Sequence, residues 1–123
     1  MIAVQRIDID DPAVDMDASQ RLLYQGKLFT GEVAEYQGEA LISLDGYTEG
    51  IQDGPTLEWF PDGTKRSEGV MRMGFVSGEY LEWHPNGTLA SRQVFSEDGK
   101  RLKEEYKWDV QGNPTRTWRD SDA

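Results

Sequence analysis

The chain has 123 residues, no cysteine and a net charge of −10 at neutral pH. This length predicts a single domain, 1–123. The absence of cysteine excludes disulfides and thiolate metal sites and fits a cytoplasmic protein. No apolar run approaches the roughly 18 residues that a membrane-spanning helix needs. The negative charge disfavours nucleic acid and anionic lipid as partners, because both would be repelled.

The N-terminal segment, residues 1–21, predicts an acidic cap or arm. Ile7 and Ile9 alternate with aspartates, which is typical of a short strand, and Asp11-Pro12 ends it. The acidic side chains of this segment are Asp8, Asp10, Asp11, Asp15 and Asp17. We expect a solvated run. Two alternatives remain: an arm that docks on a basic partner, and a weak calcium site, although the EF-hand pattern is absent.

Residues 22–119 contain about four repeats of 23–25 residues. The sequence Leu-Glu-Trp-Phe-Pro-Asp-Gly at 57–63 returns as Leu-Glu-Trp-His-Pro-Asn-Gly at 81–87. A looser copy lies at 105–112 and a degenerate one at 33–38. The aromatic positions 36, 59, 83 and 108 are 23, 24 and 25 residues apart. A fixed period of this size predicts one supersecondary unit copied in series.

Each repeat predicts a β-hairpin followed by a return turn. A strand at 57–60 leads into Phe60-Pro61-Asp62-Gly63, whose proline, aspartate and glycine suit successive positions of a tight turn. Further strands are expected at 28–36, 40–44, 64–72, 79–84, 89–95 and 100–108, with an edge strand at 115–118. Asp45-Gly46 and Asp53-Gly54 are read as turn signals, and Ser96-Glu97-Asp98-Gly99 as a further turn. The predicted fold class is all-β, an elongated, twisted antiparallel sheet of stacked β-hairpins.

The tryptophans predict where the core lies. Stacked hairpins would place Trp59, Trp83 and Trp108 at equivalent sites two strands apart. Since each aromatic side chain can bury roughly 150–250 Å², we expect the three indoles to form a common buried core. The alternative is a ligand-stacking platform. Such platforms have basic flanks, and the acidic neighbours Glu58 and Glu82 disfavour that alternative.

The repeated sequence resembles a known family. The pattern Gly-x-x-Leu-Glu-Trp-x-Pro-[Asp/Asn]-Gly, at 54–63 and 78–87, is similar to the MORN-repeat variant of bacterial proteins, and the resemblance covers roughly residues 22–119. It implies a relation to YwqK-like antitoxins and to immunity proteins of polymorphic toxin systems, which block a toxin by binding it. The first copy lacks the tryptophan and proline, and Lys103 replaces a glycine in the last copy, as terminal capping units would allow.

The sequence predicts no enzyme, no cofactor and no metal site. His84 is the only histidine, and no nucleotide-binding glycine motif or Gly-x-Ser-x-Gly elbow is present. A carboxylate pair such as Glu58 and Glu82 could serve acid–base chemistry. Repetition gives both members like surroundings, however, whereas that chemistry needs unlike ones.

We therefore expect an immunity protein or antitoxin that covers the active site of a cognate protein toxin with a basic surface. Residues 1–91 carry a net charge of −10, whereas 92–119 carry +2. Acids would steer association and aromatic side chains would anchor the complex. The candidate toxin-binding residues are Asp45, Tyr47, Glu49, Asp53, Glu58, Phe75, Glu79, Tyr80 and Glu82. The alternative is a MORN-like scaffold or membrane-associated interaction module. The binding face and the oligomeric state are left open.

Overall fold

The computed structural model describes residues 4–121, and within that range every regular element is a β-strand. The prediction of an all-β fold is confirmed. The strands are β1 Arg6–Asp8, β2 Val14–Met16, β3 Leu22–Tyr24, β4 Lys27–Leu28, β5 Gly31–Gln37, β6 Ala40–Thr48, β7 Ile51–Trp59, β8 Lys65–Arg72, β9 Phe75–Val76, β10 Glu79–Trp83, β11 Leu89–Phe95, β12 Leu102–Trp108 and β13 Pro114–Arg119.

One large open sheet holds most of the strands, in the order β1-β5-β6-β7-β8-β10-β11-β12-β13, with β9 attached to β8. From β5 onward neighbouring strands are antiparallel, as hairpins joined in series require. β1 is the exception, because it pairs in parallel with β5. The strands β2, β3 and β4 form a separate small sheet.

The turns show that the repeats are structurally equivalent. The Phe60 amide donates to the Thr64 carbonyl at 2.8 Å, and the Gly63 amide donates to the Phe60 carbonyl at 2.9 Å. The turns at 84–88 and 109–113 repeat both bonds. Gly63 has φ of +92°, which favours glycine at the position where the sequence pattern places it.

The indoles occupy equivalent positions, but they do not form the core. Trp59, Trp83 and Trp108 each end their strand next to a bulge in the pairing, and all three are only half-buried. The prediction of a common buried core of indoles is therefore wrong. Among residues 4–121 no second layer covers these three side chains. Trp108 instead stacks on Tyr106, with ring centroids 6.2 Å apart.

The hydrophobic core lies at the N-terminal end of the sheet. Ile7, Leu22, Phe29 and Val33 are buried together, and Leu22 is only 2 % exposed. β1 places Ile7 beside Val33 of β5, the small sheet contributes Leu22, and Phe29 follows β4. Aspartates of the acidic segment accept backbone hydrogen bonds in its turns; Asp17 Oδ1, for example, accepts from two amides at 2.9 Å.

Two predicted turns lie inside strands. Asp45-Gly46 belongs to β6 and Asp53-Gly54 to β7, and the hairpin between these strands turns at Glu49-Gly50, where both φ angles are positive. Gly46 is required because two backbones approach closely, and not because the chain turns there. A Cβ at this position would lie 2.5 Å from the Asp53 carbonyl oxygen, so the glycine permits a close approach of two backbones.

Candidate functional site

The pairing register divides the side chains of the main sheet between two faces. On one face, which we call the acidic face, a row of directly opposed residues crosses β5 to β13. Its members are Glu35, Ser43, Glu58, Ser67, Glu82, Ser91, Lys107 and Arg116. On the other, the leucine face, the corresponding row is Ala34, Leu44, Leu57, Glu68, Leu81, Arg92, Tyr106 and Thr117.

The row on the acidic face alternates glutamate and serine through the first three repeats. Ser67 lies opposite Glu58 on one side and Glu82 on the other, and it is only 2 % exposed. Its hydroxyl donates to Glu58 Oε1 at 2.6 Å. The short serines place the glutamates on alternate strands, so the carboxylates stand roughly 10 Å apart, twice the strand spacing.

Tyr80 lies among three carboxylates on this face. Its ring packs on Gly69, where a Cβ would lie 2.5 Å from ring carbon Cδ2. Burial raises the pKa of Tyr80, and the negative charges of Glu58, Glu82 and Asp45 raise it further, while hydrogen bonding with Ser67 opposes them. We call Asp45, Glu58, Tyr80 and Glu82 the Tyr80 cluster.

The carboxylates of the Tyr80 cluster have no cationic partner within residues 4–121. Seven salt bridges occur in that part of the chain, and none of them includes Asp45, Glu58 or Glu82. Asp45 is held in place by the Thr56 hydroxyl, which donates to it at 2.5 Å. The cluster therefore presents three carboxylates that form no salt bridge within the described residues.

The acidic face changes character toward its C-terminal end. In the last repeat Lys107 and Arg116 replace the glutamate and serine of the row. Glu105 accepts hydrogen bonds from Gln93 at 2.7 Å and from Arg116 at 2.6 Å. These two bonds lower the pKa of Glu105. Here Arg116 and Glu105 pair with each other, whereas Glu58 and Glu82 of the same face form no salt bridge within residues 4–121.

Of the nine predicted binding residues, the four of the Tyr80 cluster lie close together on the acidic face. Glu79 lies on the leucine face, where its Oε2 accepts from Arg92 Nε at 2.6 Å. Asp53 accepts hydrogen bonds from the Thr48 hydroxyl at 3.2 Å and from the Met73 amide at 3.1 Å, so it connects neighbouring hairpins.

The remaining three predicted residues lie outside the cluster. Tyr47 packs against the N-terminal core, and burial, followed by the charge of Asp45, raises its pKa. Glu49 is exposed in the turn after β6. Phe75 is 51 % exposed in the short strand β9, which pairs with β8.

Sequence reasoning missed the residues that arrange the cluster, namely Ser67, Thr56 and Gly69. One signal was available for the serine: Ser43, Ser67 and Ser91 recur every 24 residues, one for each return strand. A serine at a fixed repeat position predicts that its hydroxyl bonds a longer side chain on the neighbouring strand, as Ser67 bonds Glu58. Thr56 and Gly69 carry no comparable signal.

One cleft of the acidic face contains the single histidine of the chain. An opening of about 340 Å³ is lined by Glu82, Trp83, His84, Ser91 and Lys107 among others. The Nε2 atom of His84 lies 2.8 Å from the Trp108 carbonyl oxygen, a contact that gives the ring a structural role. Within residues 4–121 no group of three or more His, Cys, Asp or Glu side chains is arranged to hold a metal ion.

No protein family, curated protein or solved structure matches this chain. Residues 4–121 also include no helix long and apolar enough to cross a membrane.

Proposed function

We propose that this protein is an immunity protein or antitoxin that acts in the cytoplasm by binding, without catalysis of its own, and neutralises a toxin by covering a basic active-site surface with the acidic face. The observation that carries the proposal is the Tyr80 cluster, whose three carboxylates have no cationic partner within residues 4–121. The resemblance of the repeats to bacterial MORN-type antitoxins points to the same class of function.

The chemistry of the cluster suits arginine and lysine side chains. A guanidinium can bond a carboxylate with two parallel hydrogen bonds and can also lie on an aromatic ring. Glu58 and Glu82 offer carboxylates on either side of Ser67, and the ring of Tyr80 lies among them. Binding requires no internal ion pair to break, so the interaction energy is not offset by a lost salt bridge.

The charge of the whole chain supports rapid association. A toxin that acts on nucleic acid or a nucleotide must attract phosphate, so its active-site surface is expected to be basic. An inhibitor with a net charge of −10 is steered toward such a surface. Salt screens this steering beyond about 10 Å at 0.1 M. Raising the salt concentration should therefore slow association while changing dissociation less.

The test pairs this chain with the product of the reading frame immediately upstream, where that product ends in a small basic domain. We expect co-expression to rescue growth from the domain's toxicity and the two proteins to co-purify. The double variant Glu58→Gln/Glu82→Gln should weaken binding about tenfold or more. Glu39→Gln/Glu97→Gln is the matched control, because it removes the same charge from exposed turn positions.

The outcomes separate the alternatives. Equal weakening by the two double variants would mean that only the total charge matters and would reject the Tyr80 cluster as the binding site. Failure to rescue growth or to co-purify would reject the toxin-neutralising function. Flotation of the chain with vesicles of anionic lipid would instead favour a MORN-like membrane-associated module.

A further inference from the structure

The leucine face carries an apolar surface that the acidic face lacks. Leu44, Leu57 and Leu81 lie in one row across β6, β7 and β10, interrupted only by Glu68 on β8. Pro55 and Val70 form a pair in the next row. Val70 is 46 % exposed. The sheet therefore exposes aliphatic side chains from four consecutive strands on one side.

Two clefts join these residues into one groove. One has a volume of about 410 Å³ and the other of about 450 Å³, and Pro55 and Leu57 line both. A sheet normally buries its apolar face against another layer. No layer within residues 4–121 lies over the groove, because the small sheet packs at the N-terminal end with Ile7 and Phe29.

The whole chain exposes more surface area than a compact monomer of the same mass. A compact monomer of 14.0 kDa is expected to expose about 6,700 Å². This chain exposes 7965 Å². The excess of roughly 1,300 Å² exceeds the roughly 800 Å² that each partner buries in a standard protein–protein interface. Summed over both faces and the edges, the single-layer sheet thus leaves more surface uncovered than one partner of ordinary interface size would bury.

The charges on the leucine face indicate which partner fits. Glu68 pairs with Lys65 at 3.5 Å, Glu79 with Arg92 at 2.6 Å and Glu104 with Arg119 at 3.6 Å. Three carboxylates of this face are thus paired within the chain. Asp53 lines the groove without a salt bridge to any described residue and accepts hydrogen bonds from the Thr48 hydroxyl and the Met73 amide. Two copies that each carry −10 repel one another on the acidic face, whereas the leucine face offers an apolar contact whose acids mostly have partners within the chain.

We propose that a second copy of this chain covers the leucine face, giving a two-fold symmetric dimer with the sheets packed face to face. In such an isologous contact the same patch serves both subunits, so the aliphatic groove meets its own copy. Face-to-face sheets pack about 10 Å apart through interdigitated side chains. Both acidic faces then point outward, and each dimer presents two Tyr80 clusters.

Sedimentation equilibrium over a range of protein concentrations tests the dimer. We expect the wild-type chain to dimerise and Val70→Asp to raise the dissociation constant at least tenfold. Val110→Asp is the matched control: it makes the same chemical change at a residue that is 54 % exposed in a turn outside the leucine face, and it should leave the dimer intact.

A second measurement keeps the test valid if Val70→Asp impairs folding. Because the chain has no cysteine, single-cysteine variants Val70→Cys and Val110→Cys can each be labelled with a maleimide. The labelling rate at position 70 should fall as the protein concentration rises, and the rate at position 110 should not. The proposal is overturned by a wild-type chain that stays monomeric, by a dimer in which the two positions respond alike, or by an open-ended series of larger assemblies.

Discussion

The two ends of the sheet are stabilised in different ways. At the capped end, residues 4–34, β1 pairs with β5 at the edge of the main sheet, the small sheet contributes Leu22, and Ile7, Leu22, Phe29 and Val33 are buried together. At the open end, residues 79–119, the sheet is a single layer, its buried residues are Ser91 and Glu105, and β13 is exposed along its whole length. The repeats thus extend the sheet without extending the hydrophobic core.

Cross-strand contacts take the place of a core at the open end. The Arg92 guanidinium lies 5.5 Å from the ring centroid of Tyr106, which stacks in turn on Trp108. Each such surface pair contributes on the order of 0.2–1 kcal/mol. Neighbouring repeats can therefore support one another while both faces of the sheet stay available for partners. In solenoid proteins, likewise, each repeat is stabilised by its neighbours and the terminal repeats act as caps.

The largest expected effect is the difference in unfolding free energy between a variant of the capped end and a variant of the open end. Phe29→Ala should lower the free energy of unfolding by about 3–5 kcal/mol, because it removes a ring that is only 4 % exposed from the core. Trp108→Ala removes a larger ring from the open end but should cost only about 2 kcal/mol, since that ring is half-buried. Urea unfolding of both variants measures the difference. A greater loss for Trp108→Ala would show that the indoles, and not the capped end, dominate stability.

A second comparison sets a rigid contact near the capped end against a softer one farther along the sheet. Gly46→Ala would place a methyl group 2.5 Å from the Asp53 carbonyl oxygen, and backbone cannot easily move away. Gly69→Ala would meet a ring carbon of Tyr80 at the same distance, but the side chain can turn aside. We expect losses of about 3 and about 1 kcal/mol respectively.

Gly69→Ala also has a functional readout, since displacing Tyr80 should weaken partner binding by more than its effect on stability explains. Thermal unfolding and binding measurements on both variants check these expectations. Equal destabilisation by the two alanines would mean that Tyr80 is held as rigidly as the backbone. Unchanged partner binding by Gly69→Ala would remove Tyr80 from the contact.

The sequence allowed the open end to be predicted well, because its signals are local and repeated. The β11 strand was predicted to the residue, and the turn at 96–99 and the closing edge strand were found from turn residues and charge. The pairing of neighbouring hairpins follows once the period is recognised. The acids of the Tyr80 cluster were included among the predicted binding residues for another reason, the net charge of −10 carried by residues 1–91.

The capped end could not be predicted from the sequence in the same way. Its core depends on a parallel pairing that places Ile7 beside Val33, and on packing of Leu22 and Phe29 against them, and no local sequence pattern indicates either contact. Asp45-Gly46 was misread because aspartate and glycine are typical of turns, whereas the glycine here allows close backbone contact within a strand. The burial of the indoles was overestimated because periodicity fixes which residues are equivalent and leaves open whether a second layer covers them.

The smallest expected effect concerns an ionic contact of the open end. The hydrogen bonds from Gln93 and Arg116 lower the pKa of Glu105 in the folded state. The unfolded chain therefore takes up this proton first as the pH falls. The stabilisation by the carboxylate is fully present above the unfolded value of about 4.3 and is lost as the pH falls through the lower, folded value.

Glu105→Gln should accordingly cost about 1 kcal/mol at pH 7 and less at pH 3, below the unfolded value. Urea unfolding of the wild-type chain and the variant at both pH values gives the comparison, with Glu97→Gln, an exposed turn residue, as the control that should change little at either pH. An equal loss of unfolding free energy at pH 7 and pH 3 would mean that Glu105 stabilises the fold by packing and that its charge contributes nothing. The open end would then owe its stability to packing, as the capped end does, and the contrast between the two ends would be one of degree.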